Sequence, residues 1–239
     1  MARPSLVIVT GLLAEARAAA QPRGRVIAGG GDPVRLEAEL ARALSDGAEA
    51  VLSFGLAAGL AAGQGAGSLV IPAEIVSGVD RYPTDSRWSA HMRAVLAHAD
   101  ARPLAGVDGP LIRPADKAQL HKTTGAAAAD MESHRAARLA QRAGRPFAAL
   151  RVVSDPVEQG LPPAAVIGMK PDGRVNLAAV IASLLLHPGQ LPELARVATG
   201  VRAAMLVLAR CRSELGPELG WAPDPGAGAR RDDSARGRG

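Results

Sequence analysis

Short apolar runs alternate with polar, helix-forming stretches along most of the chain. Leu6–Thr10 is apolar, β-branched and closed by Gly11, the pattern of a buried strand. Leu12–Ala20 follows with Ala, Glu and Arg, which favour helix. Val26–Ala28 reads as a second strand, closed by Gly29, Gly30 and Gly31. Asp32-Pro33 then joins an N-cap to a proline at the first helical position. Val34, Leu36, Leu40, Ala43 and Leu44 carry that helix to about Asp46. Ala50–Phe54 is a third strand, Gly55–Gly67 a loop dense in Gly and Ala, and Ser68–Val76 a further strand. Helices are predicted over Arg87–His98 and, more briefly, Lys117–His121. Ala126–Ala129 leads into Asp130-Met131-Glu132-Ser133 and a helix to about Ala143. Pro146–Val153 is a strand with Ser154 and Asp155 at its C-terminal end. Pro156–Arg174 reads as irregular, and helices over Val175–Leu186 and about Pro192–Leu215 follow.

This alternation predicts an α/β class with a mainly parallel sheet. Ligands of such sheets sit beyond the C-terminal strand ends. The polar residues there are Glu15, Asp32, Ser53, Glu132, Ser154 and Asp155. With no internal repeat, residues 1–220 read as one domain, its C-terminal helices starting at about 175. The Pro- and Gly-rich stretch 221–239 reads as a disordered tail.

Composition narrows the chemistry. Hydrophobic residues are 48% of the 239, enough for a folded core, whereas aromatics are only 2%. That scarcity excludes a nucleic-acid module that stacks bases on aromatic rings, so no nucleic-acid partner is expected. Net charge is +5, but only Lys117, Lys122 and Lys170 are lysines among 28 basic residues, and the Arg excess reads as a composition bias. A single cysteine, Cys211, excludes a disulfide scaffold and a cysteine-based zinc site, and the five histidines lack metal-ligand spacing. No P-loop, dinucleotide fingerprint or Gly-x-Ser-x-Gly elbow occurs, so no cofactor or metal is expected. Leu6–Val9 is too short for a signal core, and Leu177–Leu186 for a membrane span. The expected location is cytoplasmic.

Three ordered stretches carry a resemblance: Val9–Glu15; Ser53–Leu60 with Gly67–Ile71; and Ala129–Ser133 with Arg151–Asp155. Together they resemble the purine nucleoside phosphorylase / methylthioadenosine–adenosylhomocysteine nucleosidase superfamily over roughly residues 5–185. The resemblance implies a three-layer αβα fold with a central mixed, mostly parallel sheet. Arg81–Asp85, Asp130–His134, Leu161–Pro163 and His187–Leu191 look most like the hopanoid-associated branch. That branch implies removal of adenine from adenosylhopane, a lipid-linked nucleoside. The same chemistry on soluble nucleosides such as methylthioadenosine, adenosylhomocysteine or 5′-deoxyadenosine is the alternative, and a ligand-sensing protein without catalysis is a third.

Cleavage of an N-glycosidic bond passes through an oxocarbenium-like ribosyl, and adenine leaves readily only when N7 is protonated. The resemblance therefore implies Asp155 as general acid, with Ser154 orienting it at the base. It implies Glu132 as acceptor from the 2′- and 3′-hydroxyls, with Met131 packed on the sugar, and Glu15 as the base that activates water. Read locally, Asp155 is a turn or cap residue, and Glu15 and Glu132 are first-turn helix carboxylates. Phosphorolytic relatives carry Arg and Ser at the positions of Ser53 and Leu56, which leans toward water as nucleophile, while the phosphorylase branch keeps inorganic phosphate open as co-substrate and a ribosylhopane 1-phosphate open as product. Backbone N–H groups at Gly11, Gly31 and Gly55 remain candidates for a phosphate or water pocket.

On the C-terminal helix, Leu191, Leu194, Val197, Val201, Met205, Leu208 and Leu215 share one face. Packing against the domain is the first expectation; peripheral contact with the inner membrane or guidance of a lipid tail is the sharper one. A homodimer is expected from the resemblance alone.

Overall fold

The computed structural model describes residues 6–21, 24–162 and 188–222. Nine strands form one mixed, mostly parallel sheet: β1 (Leu6–Thr10), β2 (Arg25–Ala28), β3 (Ala50–Gly59), β4 (Leu69–Val70), β5 (Glu74–Ser77), β6 (Asp80–Pro83), β7 (Leu104–Gly106), β8 (Ala128–Asp130) and β9 (Phe147–Asp155). Helices α1 (Leu13–Ala19), α2 (Pro33–Ser45), α3 (Ser86–Val95), α4 (Pro114–Thr124), α5 (Ser133–Arg142) and α6 (Leu191–Glu214) cover its faces, giving the expected three layers.

β3 is the hub. It runs parallel to β1 and β9, and its last two residues turn to pair antiparallel with β8. This corrects one expectation, since Gly55–Gly59 is strand and not loop. Small residues there let a second strand cross closely, so a Gly/Ala run read as a loop is sheet. Ser68–Val76 is likewise two strands: β4 pairs with β9, whereas β5 pairs with β6 and β7, and Pro72 lies between them. The β5–β6 hairpin and β7 were not expected. The Asp32 cap holds as read, its side chain accepting from the Arg35 N–H at 2.9 Å with Pro33 next in line.

Alternation along β1, β3 and β9 builds two apolar layers. Val7, Val9, Val51, Ala149 and Val153 pack toward α2 and α5. Leu6, Ile8, Leu52, Phe54, Leu150 and Val152 pack toward α3 and α6. On α6 the buried ridge is Gly200, Ala204, Leu208 and Cys211, continued by Leu215 just past its end, while Leu191 is 54% exposed. The buried face is thus offset from the one expected, because Gly200 lets the helix backbone approach Ser154 O: a Cβ there would lie 2.2 Å away. Trp221, placed in the tail by its sequence, packs against Trp88 with ring centroids 5.0 Å apart. The expected helix 175–186, the rest of segment 163–187 and the tail beyond 222 lie outside the described residues. Among the described residues, no helix is long and apolar enough to cross a membrane.

Candidate active site

Glu15 occupies the first turn of α1, directly after β1. Its side chain is buried, and three backbone N–H groups reach it: Gly11 and Leu12 donate to Oε2, and Leu56 of β3 donates to Oε1, all at 2.8 Å. The first two bonds are local helix-start chemistry. The third fixes the carboxylate against the central strand. A carboxylate offers about four lone-pair positions, so one remains free. Burial pushes the Glu15 carboxyl up from its ordinary value, against the pull of Arg151 and the three N–H groups.

Beside Glu15 lies a fully buried arginine. Arg151 sits within β9, opposite Gly55 of β3. Its Nε meets Asp130 Oδ2 at 2.6 Å, and its Nη2 reaches Ser53 Oγ at 2.5 Å and Glu132 Oε2 at 3.4 Å. Nη1 donates to Leu56 O at 3.2 Å. Ser133 donates to Asp130 and approaches Ser53 Oγ at 2.9 Å, closing the network. Burial alone would lower the guanidinium, but Asp130, Glu132 and Glu15 outweigh it and hold the positive charge more firmly.

Glu132 occupies the N-cap position of α5 without a capping side-chain bond, and its side chain is 13% exposed. Burial raises its carboxyl to about 7; Arg151 opposes the shift, and the negative charges of Asp130 and Glu15 add to it. Gly11 leaves room for it: a Cβ on Gly11 would lie 2.8 Å from Glu132 Oε1. Glu132 and Met131 line a cavity with Gly29, Gly31, Asp32 and Arg135. Gly55 is equally constrained, because a Cβ there would meet Arg151 Nη1 at 2.7 Å and Glu15 Cδ at 2.8 Å. Among the described residues no cluster of His, Cys, Asp or Glu could hold a metal ion.

Asp155 stands apart from this network. Strict alternation would place Arg151, Val153 and Asp155 on one face of β9, but a bulge intervenes: Ala57 pairs with Val153, and Ala58 with Asp155. Bulges re-aim side chains in this way near functional sites. Asp155 Oδ1 accepts from Ser154 Oγ at 2.6 Å, and Oδ2 faces Lys117 Nζ at 2.5 Å.

A family model described as the phosphorylase superfamily matches residues 6–186, well over half of the chain. The chain belongs to the phosphorylase superfamily. Membership makes it an enzyme that breaks the N-ribosyl bond of nucleosides. Among solved structures, the Helicobacter pylori 5′-methylthioadenosine/S-adenosylhomocysteine nucleosidase is similar at 16% identity, covering 77% of this chain and 99% of its own, with a TM-score of 0.59. The Streptococcus pyogenes S-adenosylhomocysteine nucleosidase is similar at 17% identity, with coverages of 89% and 99% and a TM-score of 0.59. Futalosine hydrolase of Helicobacter pylori is similar at 17%, with coverages of 65% and 89% and a TM-score of 0.54. At such identities the likeness is one of fold. No curated protein sequence matches.

Of the residues singled out from sequence, Glu15, Glu132, Gly11 and Gly55 converge around Arg151, and Met131 and Gly31 line the cavity beside Glu132. Ser154 and Asp155 form a second group around Lys117. The Gly11 N–H, counted among possible anion donors, is taken by Glu15. Arg151 and Lys117 were not assigned roles from sequence. A guanidinium inside the apolar run Leu150–Val153 was the available signal for the first; for the second there was only the rarity of lysine.

Proposed function

We propose that the chain hydrolyses the N-ribosyl bond between adenine and a 5′-substituted ribose, with water as the nucleophile and adenosylhopane as the substrate. The carrying observation is that one guanidinium, Arg151, lies among the carboxylates of Asp130, Glu132 and Glu15. Asp130, Glu132, Ser53 and the Leu56 carbonyl already engage its N–H groups, so it offers no bidentate face to a phosphate. The sites where an Arg and a Ser would hold phosphate are Ser53, bonded to Arg151 and Ser133, and Leu56, whose N–H serves Glu15.

In this reading the free lone pair of Glu15 holds the attacking water and takes its proton. Glu132 accepts from the 2′- and 3′-hydroxyls as positive charge develops at C1′. Met131 packs against the sugar, and Asp155, held by Ser154, protonates N7 of the leaving base. The choice of adenosylhopane rests on the resemblance of residues 81–85, 130–134, 161–163 and 187–191 to the hopanoid-associated branch. The test is adenine release from adenosylhopane in detergent and from methylthioadenosine. Higher kcat/KM for adenosylhopane is expected. Preference for methylthioadenosine would move the substrate to soluble nucleosides, and release from neither would overturn the reading.

A further inference from the structure

The general acid assigned above has a partner that no part of that reading uses. Lys117 is fully buried on α4, within two turns of the helix N-terminus, where the helix dipole disfavours a cation. Its Nζ contacts Asp155 Oδ2 at 2.5 Å and the carbonyls of Gln159 at 2.8 Å, Pro156 at 3.0 Å and Asp155 at 3.4 Å. An ammonium carries three protons, so every one is directed at an acceptor, and one points at the carboxylate. The chain uses Arg for all but three of its 28 basic residues, yet the buried position beside Asp155 is Lys. An arginine there would hold the ion pair as well, but it cannot give up a proton; a buried lysine can.

We infer that Lys117 supplies, through Asp155, the proton that the leaving base takes up. The inference rests on the proposed N-ribosyl cleavage. As the C1′–N9 bond breaks, its electron pair passes into the purine ring. N7 takes a proton from the Asp155 carboxyl, which takes one from Lys117 Nζ. Lys117 is left as a neutral amine and recovers its proton from water after adenine departs. Both Asp155 oxygens accept hydrogen bonds, from Ser154 and Lys117, so the carboxyl has this ammonium as its adjoining proton source.

The surrounding charges leave the pair isolated among the described residues. At the start of α4 the exposed Arg113 pairs with the half-buried Asp116. His121, one turn further on, bonds Ala126 O, and Arg151 of β9 is held by Asp130 and Glu132. Glu158 on the segment after β9 is exposed. From α6, the Gly200 backbone comes close to the strand end, at Ser154 O.

Two variants test this role, K117M and K117R, assayed for adenine release from adenosylhopane and methylthioadenosine between pH 5 and 9, with folding checked by thermal unfolding. Near pH 8, kcat should fall about 100-fold in both, with KM within about threefold, the usual scale of one proton-transfer group. The K117M deficit should shrink toward low pH, where solvent supplies the proton, whereas the K117R deficit should persist at every pH. A merely structural pair predicts the reverse: K117R near wild type, and a K117M loss equal at every pH. Either result overturns the inference, and K117R alone decides it if K117M does not fold. Failure of the wild type to release adenine from either nucleoside overturns the underlying reading, and this inference with it.

Discussion

The N–H of Leu56 donates to Glu15 Oε1 at 2.8 Å across 41 positions of sequence. Leu56 stands where phosphorolytic relatives would offer a hydroxyl to phosphate, and here its backbone serves a carboxylate instead. The bond ties the first turn of α1 to the central strand and fixes the carboxylate assigned to water activation. Under the proposed hydrolysis the position serves the nucleophile pocket, with the chemistry of a base.

The close approach at Gly55 makes a sharp test of that pocket. Gly55→Ala would put a methyl 2.7 Å from Arg151 Nη1 and 2.8 Å from Glu15 Cδ. The two side chains must separate, and misplacement of a reacting group by about 1 Å costs on the order of 100-fold. Steady-state adenine release should show that loss in kcat, with the protein still folded by circular dichroism.

Arg151→Met should destabilise the fold. It leaves Asp130 and Glu132 without their buried cation, and breaking such a pair costs roughly 3–5 kcal/mol. Arg151→Lys should recover only part of this, because an ammonium cannot span Asp130, Ser53 and Glu132 as the planar fork does. Denaturant unfolding of both variants supplies the comparison.

The raised carboxyl of Glu132 sets a direction with pH. A carboxyl raised on folding, here from 4.5 to about 7, adds stability that is full below its ordinary value and is lost as pH rises through about 7. Glu132→Gln imitates the protonated form, so its melting temperature relative to wild type should climb from pH 5 to pH 8. Activity should move oppositely: kcat/KM of the wild type should rise through about 7, as the ionised carboxylate becomes available to the ribose hydroxyls. A flat melting difference across that range would contradict the assignment.

Asp155→Asn should abolish turnover while leaving nucleoside binding measurable by calorimetry. The amide keeps the shape at the end of β9 and cannot give the proton. Full activity in this variant would remove Asp155 from the mechanism.

How far the chain could be read in advance follows from which interactions are local. The strand β1, the capped start of α2 and the polar ends of β8 and β9 are written in contiguous residues, so their positions are legible. The extension of β3 through Gly59 is not, because its small residues become strand only when β8 and β9 pair alongside. Glu15 and Glu132 look like ordinary first-turn carboxylates until the sheet brings Arg151 between them. The bulge before Asp155 is a register difference between two strands, with no signal in either one. Lys117 meets Asp155 across 38 positions, a contact that local spacing does not encode.

The most direct test of the central claim is adenine release by the purified protein with and without inorganic phosphate, with the sugar product identified. Equal rates in both conditions and a free ribosyl product are predicted, with Glu15→Gln losing about 100-fold or more in kcat. Release that requires phosphate and yields a ribose 1-phosphate would contradict the account and mean that the Arg151 network admits an anion.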